Sequence, residues 1–301
     1  MKVTALGGGH GLAASLQALR RLDVDLTAVV TVADDGGSSG RLRTELGALP
    51  PGDLRMALAA LADDGRRTWE QLFQHRFGGD GPLAGHAVGN LVLAGLCEIT
   101  GDPVVALALA AELLGATGRV LPLTTAEIDI EAHVAFGTEV EVVRGQVAVA
   151  TTPGKVCAVQ LVPDSPPACP EAVEAVREAD AIVLGPGSLF TSVVPHLLVP
   201  QLRWALVDTT ATKILALNLV PQTGETTGFS PAAHLEALAA HAPDLRIDCV
   251  VADSSVLDRD GLMEAAKGLG ATVHVADVAA DAARHDPALL AAAYADVLGS
   301  A

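Results

Sequence analysis

A chain of 301 residues with 36 acids against 19 bases carries a formal charge of −17, which argues against nucleic acid and anionic membranes as partners. Half the residues are hydrophobic and 3% aromatic, and no run of about 18 uncharged apolar residues marks a membrane span. The cysteines Cys97, Cys157, Cys169 and Cys249 lack metal-ligand spacing and read as buried thiols of a cytoplasmic protein, one that starts directly in a strand with no signal peptide.

Residues 2–6 read as a strand entering Gly7-Gly8-Gly9-His10-Gly11, and Leu12, Leu16 and Leu19 then mark a helix. Strand, glycine turn and helix present free N–H groups and a positive dipole end to a phosphate. The dinucleotide fingerprint fails because Leu12 stands where its third glycine belongs, and no Gly-Lys-Ser/Thr follows to make a Walker loop. A second strand, 26–33, ends in Asp34-Asp35-Gly36-Gly37-Ser38-Ser39-Gly40-Arg41. Glycines let amides close on an anion, hydroxyls donate further bonds and arginine clamps phosphate oxygens, whereas the plain alternative is a flexible polar turn.

Leu49-Pro50-Pro51-Gly52-Asp53 predicts a turn into a helix over 54–61, with Asp53 as N-cap, and more helix follows over 69–77. Gly85-His86-Ala87-Val88-Gly89-Asn90 opens an apolar helix to about residue 99, and the spacing of His86 and Asn90 puts both on one face. Between Gly36 and Asn90 the arginines Arg41, Arg43, Arg55, Arg66, Arg67 and Arg76 balance six acids, so this segment suits an anionic ligand in an otherwise acidic protein. Arg66 and Arg67 also fit an ordinary helix surface.

A helix over 103–115 is followed by short strand-like pieces at 120–123, 131–136, 146–150 and 156–162. They predict a β-rich excursion over 118–165 beside the main sheet, within a single 1–301 domain. Helix returns at 170–179, and the strand 181–184 ends in Gly185-Pro186-Gly187-Ser188. Beyond a helix at 199–206, the strand 214–217 ends in Asn218 and a polar loop over 221–227. Helices at 232–241, 260–269 and 287–298 alternate with strands at 247–252 and 272–276. The pattern predicts an α/β fold with a mostly parallel sheet flanked by helices. Four strands ending in polar, glycine-bearing loops place a phosphate-bearing ligand at the carboxyl edge of that sheet.

GGGHGL at 7–12, TVADDGGSSGRLR at 31–43, LPPGDLR at 49–55, GHAVGNL at 85–91, GPGSLFTS at 185–192 and QTGET at 222–226 occur in this order. Taken together the chain resembles the YvcK-type gluconeogenesis factors, bacterial relatives of the 2-phospho-L-lactate transferases. The resemblance implies a Rossmann-like sheet and binding of a UDP-sugar, UDP-N-acetylglucosamine in particular. It also implies a regulatory role joining growth on gluconeogenic carbon to envelope synthesis and cell shape, and a protein partner in one of those processes, with a homodimer left open. By it, Gly8, Gly9, Gly11, Ser38, Ser39, Arg41, Gly187 and Ser188 surround the diphosphate, and Asn90 and Asn218 lie near the sugar or ribose. His10 replaces the family's usual threonine, and the helix after Asp258 lacks the tyrosine expected to stack on uracil. Arg284-His285-Asp286 matches the family's C-terminal motif, which brings Arg284 to the ligand.

Asp34 and Asp35, with Asp53, either hold Mg²⁺ against a diphosphate or order their loops by hydrogen bonds. His10 and His86 serve as acid or base, or as fixed donors, and His241, His274 and His285 as surface or capping residues. No Ser-His-Asp set, metal-ligand cluster or paired catalytic carboxylates stands out. The leading expectation is a binding regulator with no catalytic residue and no required cofactor. The alternative is a Mg²⁺-dependent phospho-transferase, and a purely structural interaction protein comes third.

Overall fold

The computed structural model describes residues 1–299, so the last two positions of the 1–301 span lie outside it. In chain order it contains β1 (Lys2–Gly7), α1 (Gly9–Leu19), β2 (Asp25–Val30), α2 (Gly37–Leu46), α3 (Gly52–Leu61), α4 (Arg67–Gln74), α5 (Val88–Thr100), α6 (Pro103–Leu114) and β3 (Arg119–Pro122). There follow β4 (Asp129–Phe136), β5 (Glu139–Arg144), α7 (Gln146–Ala150), β6 (Lys155–Val162), α8 (Pro170–Arg177), β7 (Ala181–Leu184), α9 (Val194–Leu198) and α10 (Pro200–Asp208). The last elements are β8 (Thr212–Ala216), α11 (Pro231–His241), β9 (Cys249–Asp253), α12 (Arg259–Gly268), β10 (Thr272–Ala276) and α13 (Pro287–Gly299).

Seven strands form a parallel sheet in the order β10-β9-β8-β7-β1-β2-β3. The chain builds outward from β1 to β3, then returns to β1's other side and builds outward again. That is the Rossmann strand order, and its switch point lies between β1 and β7. Aliphatic side chains fill both faces: in β7 all four residues are buried, as expected of a strand covered by helices on either side. A separate antiparallel sheet, β5-β4-β6, occupies the β-rich excursion.

Several local expectations are corrected. β3, grouped with the excursion by its sequence, pairs with β2 as the edge of the main sheet. The alternating Gln-Val-Ala-Val-Ala run at 146–150 imitates a strand, but Gly145 at φ 101° turns the chain and Val149 N–H closes a helical bond to Gly145 O. β5 carried too many charges to be read as a strand. The stretch after Gly36 is a helix and not a loop, and the helix expected over 69–77 stops at Gln74. His86 precedes α5 and does not lie on it. Asp53 does not cap α3: Pro51 holds that position and Asp53 sits inside the first turn. Of the cysteines only Cys169 and Cys249 are buried, while Cys97 is half-buried and Cys157 exposed. No helix among the described residues is long and apolar enough to cross a membrane.

One buried polar link ties the C-terminal helix to the switch point. Ser15 on α1 donates to Gly185 O at 2.8 Å, so its proton is committed and the Tyr294 hydroxyl of α13, 2.7 Å away, is the donor to Ser15. Tyr294→Phe keeps the ring packing and removes that bond, and is expected to cost about 1 kcal/mol in urea unfolding. Unchanged stability would mean that the link contributes nothing net.

Candidate functional site

At the switch point the tip of β1 passes straight into α1. Gly8 takes the N-cap position in extended backbone, and no side chain of its own caps the helix. Gly9 N–H is taken by the Asp53 carboxyl, and the rest of the first turn aims amide donors and the positive end of the helix dipole out of the sheet edge. Gly11 must be glycine here. A Cβ at this position would lie 2.2 Å from Pro186 O and 2.6 Å from Gly187 Cα, so the α1 turn and the β7 loop touch backbone to backbone. The β7 loop is in turn fastened to β8, because Asn218 accepts from Gly187 N–H at 2.8 Å and donates to Gly187 O at 2.7 Å. Three strand tips are thereby locked together.

A cavity of about 960 Å³ opens on these tips, with His10, Gly11, Gly187, Asn218, Arg55 and Arg284 among its lining residues. Its volume lies within the range of ligand-binding clefts. His10 is exposed and sits at the first turn of α1. Arg284 is 82% exposed and ion-paired with Asp281 at the rim. Five residues expected to meet the ligand, His10, Gly11, Gly187, Asn218 and Arg284, thus converge on one cavity, and Gly8 and Gly9 lie directly beneath it in the same turn.

The remaining candidates form a hydrogen-bonded layer behind the wall. Ser38, buried on α2, has its Oγ 2.9 Å from His86 Nδ1 and accepts from Asn90 Nδ2 at 3.0 Å. Asn90 Oδ1 then accepts from Arg55 Nε at 2.8 Å, so this chain of bonds ends by aiming a guanidinium at the cavity. Ser39 Oγ accepts from Gly52 N–H at 3.0 Å and so satisfies the start of α3. Arg41 donates to the carbonyls of Ala84 and Pro82 and pins the loop before α5. Ser188 bonds Thr191 and Glu225, and Glu225 also accepts from Phe190 N–H at 3.2 Å, which fixes the π-helical turn after β7. Burial raises the Glu225 carboxyl above its ordinary value, and burial with the nearby Arg41 charge lowers His86.

The acidic residues divide. Asp35 accepts from Val147 N–H at 2.9 Å and so serves α7, whereas Asp34 accepts from Gly36 N–H at 2.9 Å. The pair points to different elements and does not fit a shared ion. No group of three or more metal-ligating side chains is assembled among the described residues. Asp53 is the unexpected one: burial pushes its carboxyl up to about 7, the Asp34 charge adds to this, and a bond from Gly9 N–H works against it. The sequence offers Asp53 as a cap or, with Asp34 and Asp35, as a Mg²⁺ ligand, and places Arg55 and Arg76 in a segment suited to an anionic ligand without naming either as a contact. The available signal was Arg55 standing within the apolar run of α3, where it ends up 3% exposed.

Comparison with known proteins gives the family and agrees with the fold. The family model described as 2-phospho-L-lactate transferase CofD matches residues 3–296. The gluconeogenesis factor of Bacillus subtilis (strain 168) is 42% identical over 84% of this chain and 78% of its own length. A Mycobacterium tuberculosis (strain ATCC 25618 / H37Rv) relative, provisionally given the same name, is 55% identical over 96% of this chain and 88% of its own. A crystal structure of a UPF0052 family member from Bacillus halodurans superposes with a TM-score of 0.88 at 37% identity, covering 97% of both chains.

Proposed function

The chain belongs to the CofD family and, within it, to the gluconeogenesis factors, and on that premise we propose that it is a cytoplasmic binding regulator for a nucleotide-sugar, UDP-N-acetylglucosamine. The observation that carries the reading is the N-terminus of α1, capped by no side chain of its own N-cap residue, opening at the β1/β7 switch point into a cavity of about 960 Å³. A diphosphate there takes the α1 amides as donors and the helix dipole as a counter-charge. Gly187 and Asn218 border the same space and reach the sugar or ribose, while Arg284 at the rim approaches from solvent. Residues 219–223 and 283–285 also line the cavity, so closure on the ligand reshapes an outer surface that a partner in envelope or carbon metabolism reads. Through that surface the ligand level links growth on gluconeogenic carbon to envelope synthesis and cell shape.

UDP-N-acetylglucosamine at about 100 times its dissociation constant is expected to add about 2.7 kcal/mol of stability. It is also expected to be recovered intact after prolonged incubation. A melting temperature that does not move with any concentration of this ligand would overturn the assignment.

A second reading, a phospho-transferase, is favoured by the name of the matching family model and by the half-buried, electrostatically coupled Asp34 and Asp53 beside the α1 turn. Metal-dependent product formation from a panel of UDP- and GDP-linked donors would replace the regulator with an enzyme.

A further inference from the structure

Arg55 is the most deeply placed arginine of the cavity wall, at 3% exposure. A buried guanidinium is costly unless a counter-charge and hydrogen bonds offset its lost hydration. Arginines that are far less buried, Arg20, Arg43, Arg144, Arg203 and Arg284, each pair with a carboxylate. Arg55 forms no ion pair among the described residues. It has one neutral acceptor, Asn90 Oδ1, which occupies Nε and leaves the two terminal nitrogens toward the cavity.

A second arginine shares that wall. Arg76 follows α4 in a short turn closed by its bridge to Ala87, and its Nη1 donates to Gly85 O at 2.9 Å. It has no carboxylate partner among the described residues and lines the same cavity. Burial first, and then the Arg76 charge, lower the Arg55 guanidinium to about 10 against the pull of Asp53 and Asp34. Arg55, Arg76 and Arg284 line the cavity against a single lining carboxylate, Glu70, so the lining itself carries an excess of positive charge.

We propose that Arg55 and Arg76 form a phosphate subsite on the α3–α4 wall of the cavity. Paired guanidinium forks match the oxygens of a phosphoryl dianion, and Asn90 pre-sets the plane of one fork. The proposal rests on the cavity being a ligand site. The phosphoryl group has two sources, the nucleotide-sugar's own diphosphate or a separate phosphate monoester bound beside it.

The test is titration with inorganic phosphate at constant ionic strength, with chloride as the balancing salt, read by calorimetry and melting temperature. Saturable binding is expected for the native protein, with at least a tenfold loss of affinity in Arg76→Gln, an exposed position whose replacement leaves the core intact. Arg76→Lys restores part of it. Arg55→Gln also breaks the bond to Asn90, so it is the secondary variant. Equal phosphate affinity in native protein and Arg76→Gln, or no saturable phosphate response, would overturn the subsite. Repeating the titration under saturating UDP-N-acetylglucosamine separates the sources. Loss of the phosphate response assigns the subsite to the nucleotide's own phosphates, and persistence assigns it to a separate monoester. Because the probe contains no nucleotide, failure of nucleotide-sugar binding leaves the phosphate result readable.

Discussion

Gly11→Ala lowers stability by about 3 kcal/mol and removes nucleotide-sugar binding, although it adds a single methyl group. The added carbon meets Pro186 O at 2.2 Å and Gly187 Cα at 2.6 Å, and neither is the movable end of a side chain. Relief requires the α1 turn and the β7 loop to separate, at the upper end of the usual cost of overpacking. Separation also strains the reciprocal Asn218–Gly187 bonds and spoils the concave face where three strand tips meet. Gly95→Ala, in the middle of α5 with open space where its Cβ would go, is the matched control and is expected to stabilise by about 0.5–1 kcal/mol. Urea unfolding and ligand titration of both variants make the measurement. If Gly11→Ala is as stable as the native chain and binds normally, the contact between strand tips is not what holds the site.

Asp53→Asn changes the pH dependence of stability more than any other single substitution proposed here. In the folded protein the Asp53 carboxyl is raised from 3.8 to about 7, chiefly by burial. Between those values the native state keeps a proton that the unfolded chain has released, so stability falls as pH rises, by up to about 1.4 kcal/mol per pH unit and roughly 4 kcal/mol in all. Asparagine never ionises and still accepts the Gly9 N–H bond, so the variant is expected to exceed the native protein by about 2–4 kcal/mol at pH 8. The acid side has the opposite origin. Burial lowers His196 and His234 to about 4, so each loses stability as pH falls from 6.5, by roughly 3 kcal/mol at full protonation of the unfolded chain. Native stability therefore peaks near neutrality, and Asp53→Asn flattens the alkaline limb while steepening the acid one. Parallel stability curves for the two proteins from pH 5 to 9 would refute the assignment.

The sheet was legible because buried parallel strands advertise themselves. Aliphatic runs such as Ala181 to Leu184 leave little alternative, and the glycine turns after β1, β2 and β7 point to the ligand edge. The direction of polar side chains was not legible. Ser38, Ser39 and Arg41 look like anion ligands when listed along the chain, since hydroxyls and a guanidinium are what a phosphate needs. In the fold they are committed to His86 and Asn90, to Gly52, and to the carbonyls before α5. That commitment depends on α2 starting at Gly37, which turns the serines inward. Asp53 misled for a related reason, because a carboxylate after Pro-Pro-Gly satisfies the usual capping pattern while its partner here belongs to another helix. The short α7 depends on a glycine with positive φ that its alternating residues do not announce, and the edge strand β5, although Glu139 to Val142 alternate charged and apolar, is largely exposed and held by pairing with β4.

The strand order has a consequence for synthesis. β1 is an interior strand of the main sheet, yet its partner β7, the central strand, begins at Ala181, after the whole second sheet has been made. At roughly 5–20 residues per second, the first half leaves the ribosome with an open apolar edge for several seconds. A newborn chain held there offers β1 to any passing extended segment, which makes this interval the one in which a chaperone has most to protect.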